Sequence, residues 1–177
     1  MGKKLFIILY GERNQGKTST LMRLVIKLGG SSKTLETAVD GAFFDGKHYR
    51  DARIVIEYED YLIYVATAGD TWGLCKGNTD FFEGEYGNQQ IYLVSGGHLK
   101  RMSTHDKNVY KSKKPDVVVS ACSHVSDGLG SIKALHTYCE NHLLDNDELI
   151  WLKRDISEKP DNELYADGIK NRIDLFL

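Results

Sequence analysis

The octapeptide Gly11-Glu12-Arg13-Asn14-Gln15-Gly16-Lys17-Thr18 constrains this chain more than any other stretch, because it fits G-x-x-x-x-G-K-[ST] and its flanks fit as well. The apolar run Leu5-Phe6-Ile7-Ile8-Leu9-Tyr10 before it predicts a buried strand. Leu21, Leu24, Val25 and Leu28 after it recur at helical spacing. A strand that passes through a glycine loop into a helix aims backbone N–H groups and the positive end of that helix at one point. A polyphosphate is the ligand such a point selects.

The spacing assigns a role to each residue. Gly11 and Gly16 keep Cβ atoms out of the turn and away from an approaching phosphate. The N–H groups of Asn14, Gln15, Gly16, Lys17 and Thr18 are expected to curl around the β- and γ-phosphates, with Ser19 and Thr20 extending the polar first turn toward the α-phosphate. Lys17 brings a point charge to the phosphate oxygens, and the Thr18 hydroxyl suits Mg²⁺.

A Mg²⁺-nucleotide site also needs an acid at the end of a neighbouring apolar strand. Asp70 is the candidate, following the run Tyr61 to Thr67 with Ala68-Gly69 between. Lys17 and Asp70 are therefore the candidate catalytic pair, and Thr18 and Asp70 the candidate metal ligands. Glu57 is an alternative acid if its strand points it at the phosphates. No spacing selects a general base among Glu12, Asp70, His124 and Asp127. Arg13 and Arg101 are the arginines considered for stabilising transferring phosphoryl charge.

Along the chain, Gly29-Gly30-Ser31-Ser32 stops the first helix, and residues 31–50 read as a polar loop beside the nucleotide. Arg53 to Tyr58 and Tyr61 to Thr67 flank Glu59-Asp60 as a hairpin. Asn78 is placed to cap a short helix through Phe81 and Phe82. Ile91 to Val94 reads as a strand inside a stretch, 88–114, that looks like an insertion or flap. Val117 to Cys122 is a buried parallel strand by composition. Asp127 to Gly130 open a helix with Ile132, Leu135, Cys139 and Leu143 on one face. Leu149 to Leu152 forms the last strand, and a final helix follows with Leu164, Ile169, Ile173 and Phe176 inward.

This alternation predicts a single α/β domain over residues 1–177: three layers, a mostly parallel sheet, and one antiparallel edge strand at 53–58. Ligands of such sheets sit at the carboxyl ends of the strands. The expected rim is the glycine loop, Ala68 to Trp72, Ser120 to Ser126, and Lys153 to Ile156.

The chain has 177 residues, two prolines and a net charge of −2, which suits one domain and gives no sustained basic stripe for nucleic acid. The first apolar run is too short for a membrane span and lacks a leader-cleavage pattern. The three cysteines, Cys75, Cys122 and Cys139, sit in no pairing motif, so reduced thiols and a cytoplasmic setting are expected. His136-x-x-Cys139-x-x-His142 has zinc-ligand chemistry but lacks a fourth ligand and puts Cys139 on the core face.

The glycine loop resembles that of the P-loop NTPase superfamily. Asn14-Gln15-Gly16-Lys17-Thr18-Ser19-Thr20-Leu21 is similar to the S-G-K-T-T-T-L form of small bacterial ATP-binding proteins. Ile56-Glu57-Tyr58, Ala68-Gly69-Asp70-Thr71, Asn78 with Phe81-Phe82, and Ile150-Trp151 look like pieces of an uncharacterised bacterial group of that type. The resemblance implies the P-loop fold and binding of Mg²⁺ with ATP, with hydrolysis or transfer to an acceptor that the sequence does not reveal. A GTPase-like reading stays open. Ala66-Thr67-Ala68-Gly69 stands in the place of D-T-A-G, and Leu152-Lys153-Arg154-Asp155 is similar to N-K-x-D, in which Lys153 would pack on the base and Asp155 bond its edge. That reading implies GTP and a switch protein. A module that binds nucleotide without hydrolysis is the third reading.

Overall fold

The computed structural model describes residues 2–11, 16–123, 128–154 and 162–177. Strand β1 (Leu5–Gly11) runs into helix α1 (Lys17–Leu28), as the spacing predicted. Every residue of β1 but Tyr10 is buried, because the strand is covered on both faces. Leu5, Ile7 and Leu9 face one apolar layer, and Phe6 and Ile8 face the other. Each such side chain contributes roughly 1.5–3 kcal/mol relative to exposure. The strand is thus a fixed post, and the place where it ends at Gly11 is fixed with it.

The stretch read as loop holds helix α2 (Lys33–Phe43). The Ser32 side chain accepts the Leu35 N–H at its start, and Leu35, Val39 and Phe43 are buried at four-residue spacing. The expected hairpin is present. Strand β2 (Arg53–Tyr58) pairs antiparallel with β3 (Tyr61–Ala66), and Glu59 takes φ 54° at the turn.

Helix α3 (Trp72–Phe82) starts earlier than expected, with the Thr71 side chain accepting the Leu74 N–H at its cap. Asn78 is therefore not a cap. It lies inside α3 and is buried.

Residues 88–114 hold strand β4 (Ile91–Ser95), strand β5 (His98–Arg101) and helix α4 (Thr104–Tyr110). Strand β4 pairs parallel with β2, so this stretch extends the sheet. Strand β6 (Val117–Ser123), helix α5 (Gly128–His142), strand β7 (Glu148–Lys153) and helix α6 (Asn162–Phe176) complete the chain.

The sheet is seven-stranded in the order β5-β4-β2-β3-β6-β1-β7. Strands β3, β6, β1 and β7 run parallel; β2 is antiparallel to β3, and β5 to β4. The expectation of one antiparallel edge strand is corrected here: β2 is internal, because β4 lies on its outer side. Helices α1 and α6 pack together over one face, and α3 and α5 over the other. In α6 the inward residues are Ala166, Ile169 and Ile173. Leu164, expected inward, is 67% exposed. No helix among the described residues is long and apolar enough to cross a membrane.

Candidate functional site

The carboxyl ends of β1, β3 and β6 form one rim, and the N-terminal end of α1 opens onto it. Gly16 precedes the helix in the left-handed region, φ 81°. A Cβ there would also lie 2.7 Å from Asn162 Oδ1, so a side chain would have to displace Asn162 as well as adopt a strained conformation. Helices α2, α3 and α4 are each capped by a side chain (Ser32, Thr71 and Ser103), whereas the N-cap of α1 is Gly16, which carries no side chain to cap it.

Lys17 is 6% exposed. Its Nζ donates to the Gly11 carbonyl at 2.9 Å and lies 3.6 Å from Asp70 Oδ1. Burial pushes the ammonium below its ordinary pKa, and the Asp70 carboxylate opposes that shift. The structure thus brings Lys17 and Asp70 together.

The two residues between the β3 run and Asp70 have a physical purpose. Strand β6 lies between β3 and β1, so the ends of those two strands are about 10 Å apart. Ala68 and Gly69 carry the chain over the end of β6 toward Lys17. Gly69 crosses so close to β6 that a Cβ would sit 2.2 Å from the Ala121 carbonyl oxygen, and its own carbonyl accepts the Ser123 N–H at 2.8 Å.

The Thr18 hydroxyl donates to Asp51 Oδ1 at 3.0 Å and lies 3.5 Å from the Thr67 carbonyl. Asp51 is the acid that the sequence reading missed. It lies two residues before β2, and because β2 runs against β3, the beginning of β2 lies at the carboxyl rim of the parallel strands. Asp51 has an exposed face, yet the protein packed around it raises its carboxyl pKa by desolvation. The Thr18 hydrogen bond opposes that rise, and the like charge of Asp70 adds to it. Thr18, Asp51 and Asp70 form an oxygen-only donor set. No group of three or more His, Cys, Asp or Glu among the described residues could hold a metal by itself.

Ser123, at the end of β6 and in register with Gly11, is 1% exposed, and its Oγ has no hydrogen-bond partner among the described residues. It alternates with Ala121 and Val119, which belong to the layer under α1, so it belongs to the same face of β6 as α1. A buried hydroxyl left without a partner costs about 1–3 kcal/mol.

On the other side of the loop, Arg154 is 1% exposed. Its Nε donates to Thr20 Oγ at 3.3 Å and its Nη2 to Asn162 Oδ1 at 2.9 Å, with the guanidinium 4.1 Å from the Tyr165 ring centre. Arg154 thus braces Thr20 directly and through Asn162, whose Oδ1 also accepts from Thr20 at 3.2 Å. Lys153 is exposed and Leu152 is packed against the core.

Several expected positions fall elsewhere. Glu57 lies at the far end of β2, where Ser95 donates to it at 2.6 Å and Tyr110 also bonds it; these bonds hold its pKa low. Arg101 lies on the edge strand β5, five strand positions from β1. His136 faces Glu140, and His142 faces Tyr138 and Glu83, so they do not converge with Cys139. The thiols of Cys75, Cys122 and Cys139 are all buried. Ser19 is half-buried beside Thr18. Asn14 and Gln15, with Glu12, Arg13, His124, Asp127 and Asp155, lie outside the described residues.

No family model matches the chain, and no curated protein and no solved structure matches it. The functional reading rests on the site itself.

Proposed function

We propose that this chain is a P-loop protein that binds the Mg²⁺ complex of a nucleoside triphosphate, ATP in preference to GTP, and cleaves or transfers the γ-phosphoryl group. The observation that carries this reading is the convergence of Lys17 and Asp70 at the uncapped start of α1. Thr18 with Asp51, and the orphaned Ser123 hydroxyl, support it from either side.

The donor set fits Mg²⁺, a hard cation that takes one or two carboxylates and completes its shell with water and phosphate oxygens. Thr18, Asp70 and Asp51 would hold it, directly or through water. When bound, Mg²⁺ neutralises charge on the β- and γ-phosphates. The α1 amides then bind phosphate oxygens along the helix axis. Lys17 leaves Asp70 for those oxygens and steadies the negative charge on the transferring group. Ser123 donates its hydroxyl from beneath. Asp70, no longer paired with Lys17, would be available to hold Mg²⁺.

The preference for ATP follows from the resemblance of the loop and from Leu152. It stands where the guanine-reading pattern needs an asparagine, and its side chain packs on the core.

Calorimetric titration with ATP and with GTP, with and without Mg²⁺, tests the reading. ATP should bind more tightly, and Lys17→Ala should weaken binding about 10–100-fold, the worth of a charge-assisted bond. Unchanged affinity in Lys17→Ala sinks the nucleotide assignment. Tighter GTP binding replaces it with a switch protein. Phosphate release without an acceptor identifies an ATPase, acceptor-dependent transfer a kinase, and binding without turnover a nucleotide-gated module.

A further inference from the structure

Asn78 is fully buried, and a buried amide persists only when its bonding capacity is met. Its Nδ2 donates to the Ala68 carbonyl at 2.7 Å and to Ser120 Oγ at 3.3 Å, and its Oδ1 accepts from Arg53 Nε at 3.0 Å. The carbonyl on one side and the guanidinium on the other fix which way the amide faces. One side chain on α3 thus joins the start of β2, the segment after β3, and β6. Arg53 follows Asp51 by two residues, and Ala68 precedes Asp70 by two. Arg53 is held to α3 a second time, through Nη2 to the Leu74 carbonyl at 3.3 Å.

We propose that Asn78, acting with Arg53, is the positioning group that sets the separation of Asp51 and Asp70 and so sets the affinity of the site for a divalent cation bound with nucleotide. The inference rests on the nucleotide reading above. The two acids belong to different chain segments and repel each other, so something must hold the segments at the spacing a cation needs. A neutral amide pins both without adding charge. An aliphatic residue at 78 would leave Ala68 O and Arg53 Nε unpaired. A carboxylate there would face the Ala68 carbonyl with no proton to donate.

The test compares wild type, Asn78→Ala and Arg53→Lys, each titrated with ATP in excess chelator and then across a Mg²⁺ series. The Mg²⁺-free affinity should stay within about twofold. The half-saturating Mg²⁺ concentration should rise about 10–100-fold, the usual effect of losing an outer partner of metal ligands. Amide exchange of residues 67–70 in the free Asn78→Ala protein should also quicken. A lowered melting point with unchanged Mg²⁺ dependence in both variants overturns the inference and leaves the nucleotide reading standing. A wild type that binds no nucleotide overturns both. If Asn78→Ala does not fold, Arg53→Lys decides, because it keeps a cation beside Asp51 while removing the guanidinium's bonds to Asn78 and to the Leu74 carbonyl.

Discussion

The Lys17 ammonium lies 3.6 Å from the Asp70 carboxylate while it donates to the Gly11 carbonyl at 2.9 Å. A phosphate bound at the start of α1 would compete with Asp70 for Lys17. The exchange has two opposite consequences. Asp70→Asn frees Lys17 and should raise the affinity for Mg²⁺-free nucleotide. Because Asp70 is 42% exposed, the pair is worth at most about 1 kcal/mol, so the gain should be fivefold or less. The same change removes a proposed metal ligand and should weaken the Mg²⁺ complex about tenfold. Titrations in chelator and in Mg²⁺ check both signs. Affinities that move together reject the exchange.

Asp51 gives a prediction for the free protein. Its folded pKa is raised, chiefly by desolvation, so the protonated form is the one the fold favours. That contribution is fully present below the unfolded carboxylate value and is lost as pH rises through the raised folded value. Asp51→Asn should therefore melt higher than wild type at pH 7, by about 1–2 °C given its exposed face. The two should converge as pH falls toward 4. The variant should also lose most of the Mg²⁺ dependence of nucleotide binding. Melting curves at several pH values check the first part, and a variant that melts lower at pH 7 than at pH 4 relative to wild type contradicts it.

The parts of this fold that sequence made legible are those buried on both faces. The runs Leu5 to Tyr10, Tyr61 to Ala66 and Val117 to Cys122 carry so many apolar residues that only a covered strand accommodates them. Residues 33–43 were illegible because one buried position in four (Leu35, Val39, Phe43) is a thin stripe among polar residues and Gly41. Of the site, Gly16, Lys17 and Thr18 were readable from local spacing. Asp70 was less so, because its two-residue offset makes sense only once β6 is known to lie between β3 and β1. Asp51, Asn78 and Ser123 depend on strand direction and order, which no local pattern encodes. The hairpin Arg53 to Ala66 did contain the clue for Asp51, since a strand antiparallel to β3 must begin where β3 ends.

Gly69 shows what the crossing over β6 demands. A Cβ on residue 69 would lie 2.2 Å from the Ala121 carbonyl oxygen and 2.8 Å from the Cys122 nitrogen, both backbone atoms of a central strand that cannot give way. Gly69→Ala should destabilise the protein by about 1–3 kcal/mol, as overpacking does, and lower its melting point by several degrees. The segment must lift to relieve the clash, which carries Asp70 away from Lys17. Mg²⁺-dependent binding should fall with it. Gly41→Ala is the control, since nothing lies within 4 Å of a Cβ there. It should hold or slightly raise stability, because alanine is the better helix former in α2. Equal melting points for the two variants would show that the crossing is not tight.

Ser123 separates stability from function most sharply. Its Oγ is buried without a partner among the described residues, so the free protein bears the cost of desolvating a hydroxyl. Ser123→Ala removes that group from a site where no described residue bonds it. The ligand-free protein should become more stable by about 1 kcal/mol, or about 2–4 °C in melting point. The nucleotide complex should respond in the opposite direction. A hydroxyl that meets its first partner in the γ-phosphate contributes to triphosphate binding and not to diphosphate binding. Affinity for ATP should drop about 3–10-fold while affinity for ADP stays within twofold, as loss of one neutral hydrogen bond requires. Melting curves of the free variant and paired titrations with ATP and ADP measure both effects. Equal losses for the two nucleotides would move Ser123 away from the γ-phosphate. A destabilised free protein would mean that the hydroxyl has a structural partner.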